Sequence, residues 1–227
     1  MIYIALILAV LIGVLIAKFI SPQKKVIQIF LSFSGAYLLS ITVLHLLPEV
    51  FETQQNNIGL FILLGIVIQT ILEYLSKGAE HGHIHAHDLG NHVPWLLFVS
   101  LSLHAFLEGV PLGIEKNEGL LWAIIIHKVP IAIILAVFFK KSNLSLPKVA
   151  LFLSLFALMT PLGSWVAHDL TILKQYQTEI NALVIGIFLH ISTAILFESS
   201  ENHKFNLKKF IAIIIGFSIA FMSSSVL

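Results

Sequence analysis

Cysteine is absent from the 227 residues, and so is arginine: all thirteen basic residues are lysine. The first absence excludes disulfides, thiolate metal sites and cysteine nucleophiles. Charge is scarce as well, at 11% of residues, where a soluble domain carries about a quarter. A net charge of +1 offers no footing for a polyanion, so no nucleic-acid partner is expected. Apolar residues fill the gap, with 58% of the chain hydrophobic and a mean hydropathy of +0.97. Such a composition indicates an all-α polytopic membrane protein. A helical span takes ~20 residues, so eight would use roughly 160 and leave short loops. Residues 1–227 therefore read as one transmembrane domain with no separate soluble catalytic unit.

Hydrophobic blocks fall at about 1–20, 26–50, 57–76, 94–114, 118–139, 147–168, 180–199 and 207–226, here called spans 1 to 8. The first has its lysines behind it and no cleavage signal, so it reads as a span with its N-terminus outside, not as a removable signal peptide. Pro22, Pro94 and Pro147 stand at entries to spans, where proline is tolerated. Pro48, Pro111, Pro130 and Pro161 lie within spans or near their ends, where they free backbone carbonyls and permit kinks.

Lysine placement orients the chain. The loops 1–2, 3–4, 5–6 and 7–8 hold ten lysines, the alternate loops only Lys116 and Lys174, and Lys128 lies inside span 5. By the positive-inside rule the lysine-rich loops are cytoplasmic and both termini extracytoplasmic, a pattern that needs an even number of spans. The cytoplasmic loop 77–93 contains 80-EHGHIHAHDLGNH-92, with His81, His83, His85, His87 and His92. Alternating H-x-H spacing suits a flexible chelating tract better than a helical face, and loose metal capture is the functional reading. A solvated histidine run without a role is the other.

Ionisable residues inside spans are few, and each centrally placed charge costs a few kcal/mol, so such residues tend to line a pathway or a buried site. Span 2 has His45 and Glu49, span 4 has His104 and Glu108, and span 5 has His127 and Lys128. His104 and Glu108 are four residues apart, on one helical face about one turn from each other, so imidazole and carboxylate can reach the same ion. Alone, this pair could equally be interhelical glue. His127 adds a third donor at similar depth on the next span, and His45 a fourth, each three residues before a proline. Three imidazoles and a carboxylate satisfy a tetrahedral first-row dication better than calcium or magnesium. Charge compensation by such an ion explains a carboxylate in lipid.

The segments 45-HLLPE-49, 104-HAFLEG-109 and 127-HKVP-130 resemble spans 2, 4 and 5 of the ZIP family of zinc/iron-regulated transporters. The likeness covers essentially the whole chain, and the H-K pair looks most like the small branch that includes animal plasma-membrane zinc importers. The resemblance implies eight helices with spans 1–3 and 6–8 as inverted repeats around spans 4 and 5, a metal path between two helix groups, and often a homodimer. It implies metal-ligand positions for His104, Glu108 and His127, with His45 facing the same metal. It also implies import of a dication, Zn²⁺ first, with Fe²⁺, Mn²⁺, Cd²⁺ or Co²⁺ open, across a plasma or inner membrane. No catalytic cofactor follows from it.

Many members have a second metal site, and there this sequence departs. Its positions hold Ala105, Lys128, Ile131 and Thr160. The expectation is that the Lys128 ammonium stands where a second metal would and neutralises Glu108 between ion passages, with snorkelling to a polar pocket as the alternative. Glu49 and Glu52 are candidates for drawing cations to the extracytoplasmic entrance, or are merely a solvated end. His168 with Asp169 could bind metal transiently, and His190 reads best as a satisfied core histidine. Glu198, Glu201 and His203 form a cytoplasmic group of no assigned role. Two other functions compete with transport. An intramembrane zinc hydrolase would need a metal-bound water and a separate acid or base, and H-E-x-x-H is absent. A metal sensor would place its output on the histidine-rich loop.

Overall fold

The computed structural model describes residues 1–79, 95–115, 117–142, 144–198 and 206–224. Among them the ordered elements are helices and no strand occurs. In lipid the backbone must satisfy its own polar groups, and a helix does so within one segment. Seven helices or helix runs are long and apolar enough to cross a membrane: Ile2–Phe19, Lys24–Glu52, Ile58–Ser76, Trp95–Ile114, Glu118–Lys141, Leu146–Asp169 and Gln177–Phe197. The helix Leu207–Ser224 follows them. These are spans 1 to 8 in order, and the protein is an all-α, multi-pass membrane protein.

Packing between the spans has an internal symmetry. Span 1 lies along span 5, span 6 along span 4, span 2 along span 8, and span 7 along span 3. Span 2 also touches span 5, as span 7 touches span 4. These pairings are unchanged when spans 1, 2, 3 and 4 are exchanged with 6, 7, 8 and 5. Each exchange swaps an odd span for an even one, which crosses in the opposite sense, so the repeat is inverted. Spans 1–3 and 6–8 thus surround spans 4 and 5, and the site lies in the middle of the pattern. Two contacts break the rule among the described residues: span 3 packs on span 4 with no equally extensive match between spans 8 and 5, and span 5 touches span 6 with no such match between spans 4 and 1.

Spans 4 and 6 approach closely enough to interlock. A Cβ built on Gly109 would stand 2.1 Å from the carbonyl oxygen of Thr160, and one on Gly163 2.1 Å from that of Phe106. Helices that meet in lipid gain little from hydrophobic transfer and rely on such small-residue contact. Outer faces are apolar and exposed, as with Leu60, Leu63, Leu64 and Val67 on span 3, which suits lipid. Spans 2, 4 and 5 are the most enclosed of the bundle.

Two elements go beyond the sequence reading. Span 2 is interrupted by a π-helical turn at Thr42–Leu46 before continuing as Leu47–Glu52. Pro48 supplies the cause: its ring crowds the carbonyl four residues back, at Leu44, and it has no N–H to bond it, so the ladder widens there. Pro111, Pro130 and Pro161 by contrast stay inside continuous helices. A short helix, Thr171–Gln175, joins spans 6 and 7. At the other ends, Lys77 closes span 3 in the left-handed region at φ 55°, and the Asn117 side chain caps span 5 by accepting from Leu120 N–H at 2.9 Å.

Candidate metal centre

His104 and Glu108 face inward from span 4, and His127 meets them from span 5. One potential ligand atom from each lies within 4.8 Å of the other two. All three are shut away, at 1%, 2% and 1% exposure. His104 Nε2 is 3.0 Å from Glu108 Oε1, as the i, i+4 spacing requires. The two imidazole rings stand nearly perpendicular, at 88°, with centroids 6.2 Å apart. In a tetrahedral zinc site, ligand atoms about 3.3 Å apart follow from bonds of about 2.0–2.1 Å. Closure by up to about 1.5 Å separates the observed trio from that arrangement.

Two prolines mark the same neighbourhood. Pro111 and Pro130 each follow a member of the trio by three residues, inside spans 4 and 5. Neither can donate to the carbonyl four residues earlier, at Leu107 and Ile126, which are the residues just before Glu108 and His127.

The chain matches the family model described as ZIP Zinc transporter over residues 75–224. The protein belongs to the ZIP family. It is 29% identical to Zinc transporter ZIP1 of Danio rerio over 173 residues, which is 64% of this chain and 57% of the relative. Zinc transporter ZIP1 of Takifugu rubripes is 30% identical over 152 residues, covering 60% of this chain and 49% of the relative. Protein zntC of Dictyostelium discoideum is 34% identical over 103 residues, or 43% of this chain and 25% of its own length. This ZIP protein spans about half the length of the zinc transporters it matches.

His45 stands apart from the trio. It lies on the π-helical turn of span 2, partly exposed, with its Nε2 buried and lacking a hydrogen-bond partner. Four residues on, exposed Glu49 lines a cavity with Leu46, Pro111, Glu115, Asn181 and Phe188. Glu115 in turn accepts from Gln177. Glu52 ends span 2 in solvent-accessible surface, and His168 and Asp169 are exposed at the end of span 6. The loop histidines His81, His83, His85, His87 and His92, together with Glu201 and His203, lie outside the described residues.

Lys128 is buried, at 2% exposure. Its ammonium donates to Thr160 Oγ1 on span 6 and sits 4.8 Å from the centroid of the Phe156 ring. Thr160 Oγ1 donates onward to the carbonyl of Ala105, 2.8 Å away on span 4. Three of the positions where the sequence departs from the family's second site are therefore joined in one chain of contacts. The carboxylate of Glu108 makes its direct contact with His104, and the Lys128 charge acts on it through space.

One pairing was not foreseen. His190 of span 7 meets Glu73 of span 3 at a half-buried spot, with side-chain exposures of 20% and 21%. The sequence marks His190 as a satisfied core histidine but does not name its partner, because what joins it to Glu73 is the packing of spans 3 and 7, which no local spacing reveals.

Proposed function

We propose that this protein carries divalent transition-metal ions across a membrane, Zn²⁺ before Fe²⁺, Mn²⁺, Cd²⁺ or Co²⁺, with His104, Glu108 and His127 as the ligands of the travelling ion. The observation that carries the reading is the buried trio on spans 4 and 5, the two spans at the centre of the inverted repeat. Two imidazoles and one carboxylate form a borderline-soft donor set, which favours zinc over calcium and magnesium. The zinc transporters among its relatives support the same choice.

A dication entering the trio sheds most of its water and receives a carboxylate that is costly to bury unpaired. The ion offsets that desolvation, and the carboxylate offsets the ion's. Binding releases any proton on the ligands, so metal and proton compete for them. With only three donors in place the fourth position stays open, and an ion held by an incomplete shell leaves readily.

His45 enters as the fourth ligand in a different disposition of span 2. Its Nε2 is already buried and unpartnered, and the π-helical turn that carries it is a site where the helix can shift. Glu49 and Glu52 gather cations at the outer mouth of the cavity below them. The direction is import, as the family likeness implies, and the histidine-rich loop collects the ion on the receiving, cytoplasmic side. Both termini face outward by the lysine distribution, the plasma or inner membrane is the location, and the working unit is a homodimer, as in the family likeness. A hydrolase would need a base separate from the ligands, and the one carboxylate of the trio is used here as a ligand.

The test is radiolabelled zinc uptake by sealed proteoliposomes. Wild type takes up zinc in a saturable manner, and His104→Ala and Glu108→Ala fall to the level of protein-free vesicles. Equal uptake by all three proteins sinks the proposal.

A further inference from the structure

Lys128 follows His127 in sequence, so a fixed positive charge lies beside a site that binds positive ions. Opposite charges in an enclosed, weakly polar space attract strongly, and the natural partner of this ammonium is the Glu108 carboxylate. The observed contacts are different. The ammonium donates to Thr160 and faces the Phe156 ring, while the carboxylate has one oxygen, Oε1, 3.0 Å from His104 Nε2.

The hydroxyl of Thr160 explains how that arrangement holds. A threonine hydroxyl has one proton and two lone pairs. Its proton is committed to the carbonyl of Ala105, so the lone pairs are what it presents to Lys128. Thr160 is completely buried, and its backbone is pinned against Gly109, so the acceptor cannot drift away. Phe156, one turn earlier on span 6, adds the negative face of its ring on the same side.

We infer that Thr160 is a positioning residue for metal binding: its hydroxyl, with the Phe156 ring, holds the Lys128 ammonium away from Glu108 and keeps the carboxylate open to the ion. Without that acceptor the lysine turns to the carboxylate, and an incoming metal has to displace it. Lys128 then acts as an internal competitor. Held in place, it is a bystander charge that weakens retention of the ion without occupying its ligand. The inference rests on the trio being the metal site.

The experiment is equilibrium dialysis of zinc against the purified full-length protein. Binding lost in Glu108→Ala defines the contribution of the trio and separates it from that of the loop. Thr160→Val, which keeps the shape and removes the acceptor, is expected to weaken that component tenfold or more. Thr160→Ser, which keeps the hydroxyl, stays near wild type. In the Lys128→Met background the same Thr160→Val change has no further effect, a non-additivity that a merely structural role does not produce. If Thr160→Val does not fold, Phe156→Leu serves instead and weakens binding in the same direction, again only when Lys128 is present. Wild-type affinity in the single variant, or an equal loss in both backgrounds, overturns the inference and leaves the metal site standing. If Glu108→Ala removes no binding at all, the metal site itself is wrong and the inference falls with it.

Discussion

His104 and Glu108, one helical turn apart on span 4, bring Nε2 and Oε1 to 3.0 Å with both side chains almost wholly enclosed. An imidazole and a carboxylate so placed form either a self-contained pair or two ligands of a shared ion. His127, arriving from another span to the same point, favours the second.

Glu108→Gln separates the two. The amide keeps the shape and can still bond to His104, but it brings no charge to a metal. Loss of a supporting contact behind a ligand typically costs 10–100-fold in metal affinity, so loss of the ligand's own charge is expected to cost more than about 100-fold. Zinc dialysis reads the affinity. Thermal unfolding in detergent should show the variant still folded.

Gly109→Val tests the interlock of spans 4 and 6. Even the first added carbon meets the Thr160 carbonyl oxygen at 2.1 Å, and backbone on both sides leaves it nowhere to go. Overpacking of this kind costs roughly 1–3 kcal/mol, occasionally more. A lowered melting temperature in detergent is expected, with zinc binding reduced in the same sample because Thr160 and Ala105 are displaced together.

Glu73→Gln addresses the pair between spans 3 and 7. Its side chains are about one-fifth exposed and belong to no part of the trio. The expected result is a modest fall in melting temperature with unchanged zinc affinity at the trio. A large loss of zinc affinity would instead couple this pair to the site.

Deletion of residues 80–92 removes five histidines and should lower the number of zinc ions bound per protein at saturation, counted by elemental analysis. Uptake by proteoliposomes should keep most of its rate. Abolished uptake would move the loop from ion collection to a central place in the transport step.

Much of this architecture is readable from residue order because membrane helices are constrained locally: length, apolarity and lysine bias mark each span without reference to its neighbours. The trio was legible for a similar reason, since His104 and Glu108 share a face by spacing alone and His127 falls at matching depth. What the sequence hides is which helix faces which. Lys128 finds Thr160 across 32 residues of chain, and His190 finds Glu73 across 117. Both contacts depend on interhelical packing that residue spacing does not encode. The π-helical turn at Thr42–Leu46 was hidden for another reason, because Pro48 announces a local disturbance but not the form it takes.

X-ray absorption at the zinc edge is the most direct examination of the central claim, that this trio grips the transported ion. It is applied to the protein without residues 80–92, loaded with one equivalent of zinc. The account predicts imidazole nitrogen and carboxylate oxygen at about 2.0–2.1 Å, with the imidazole signal lost in His104→Ala/His127→Ala. A spectrum that is the same with and without those two histidines would contradict it.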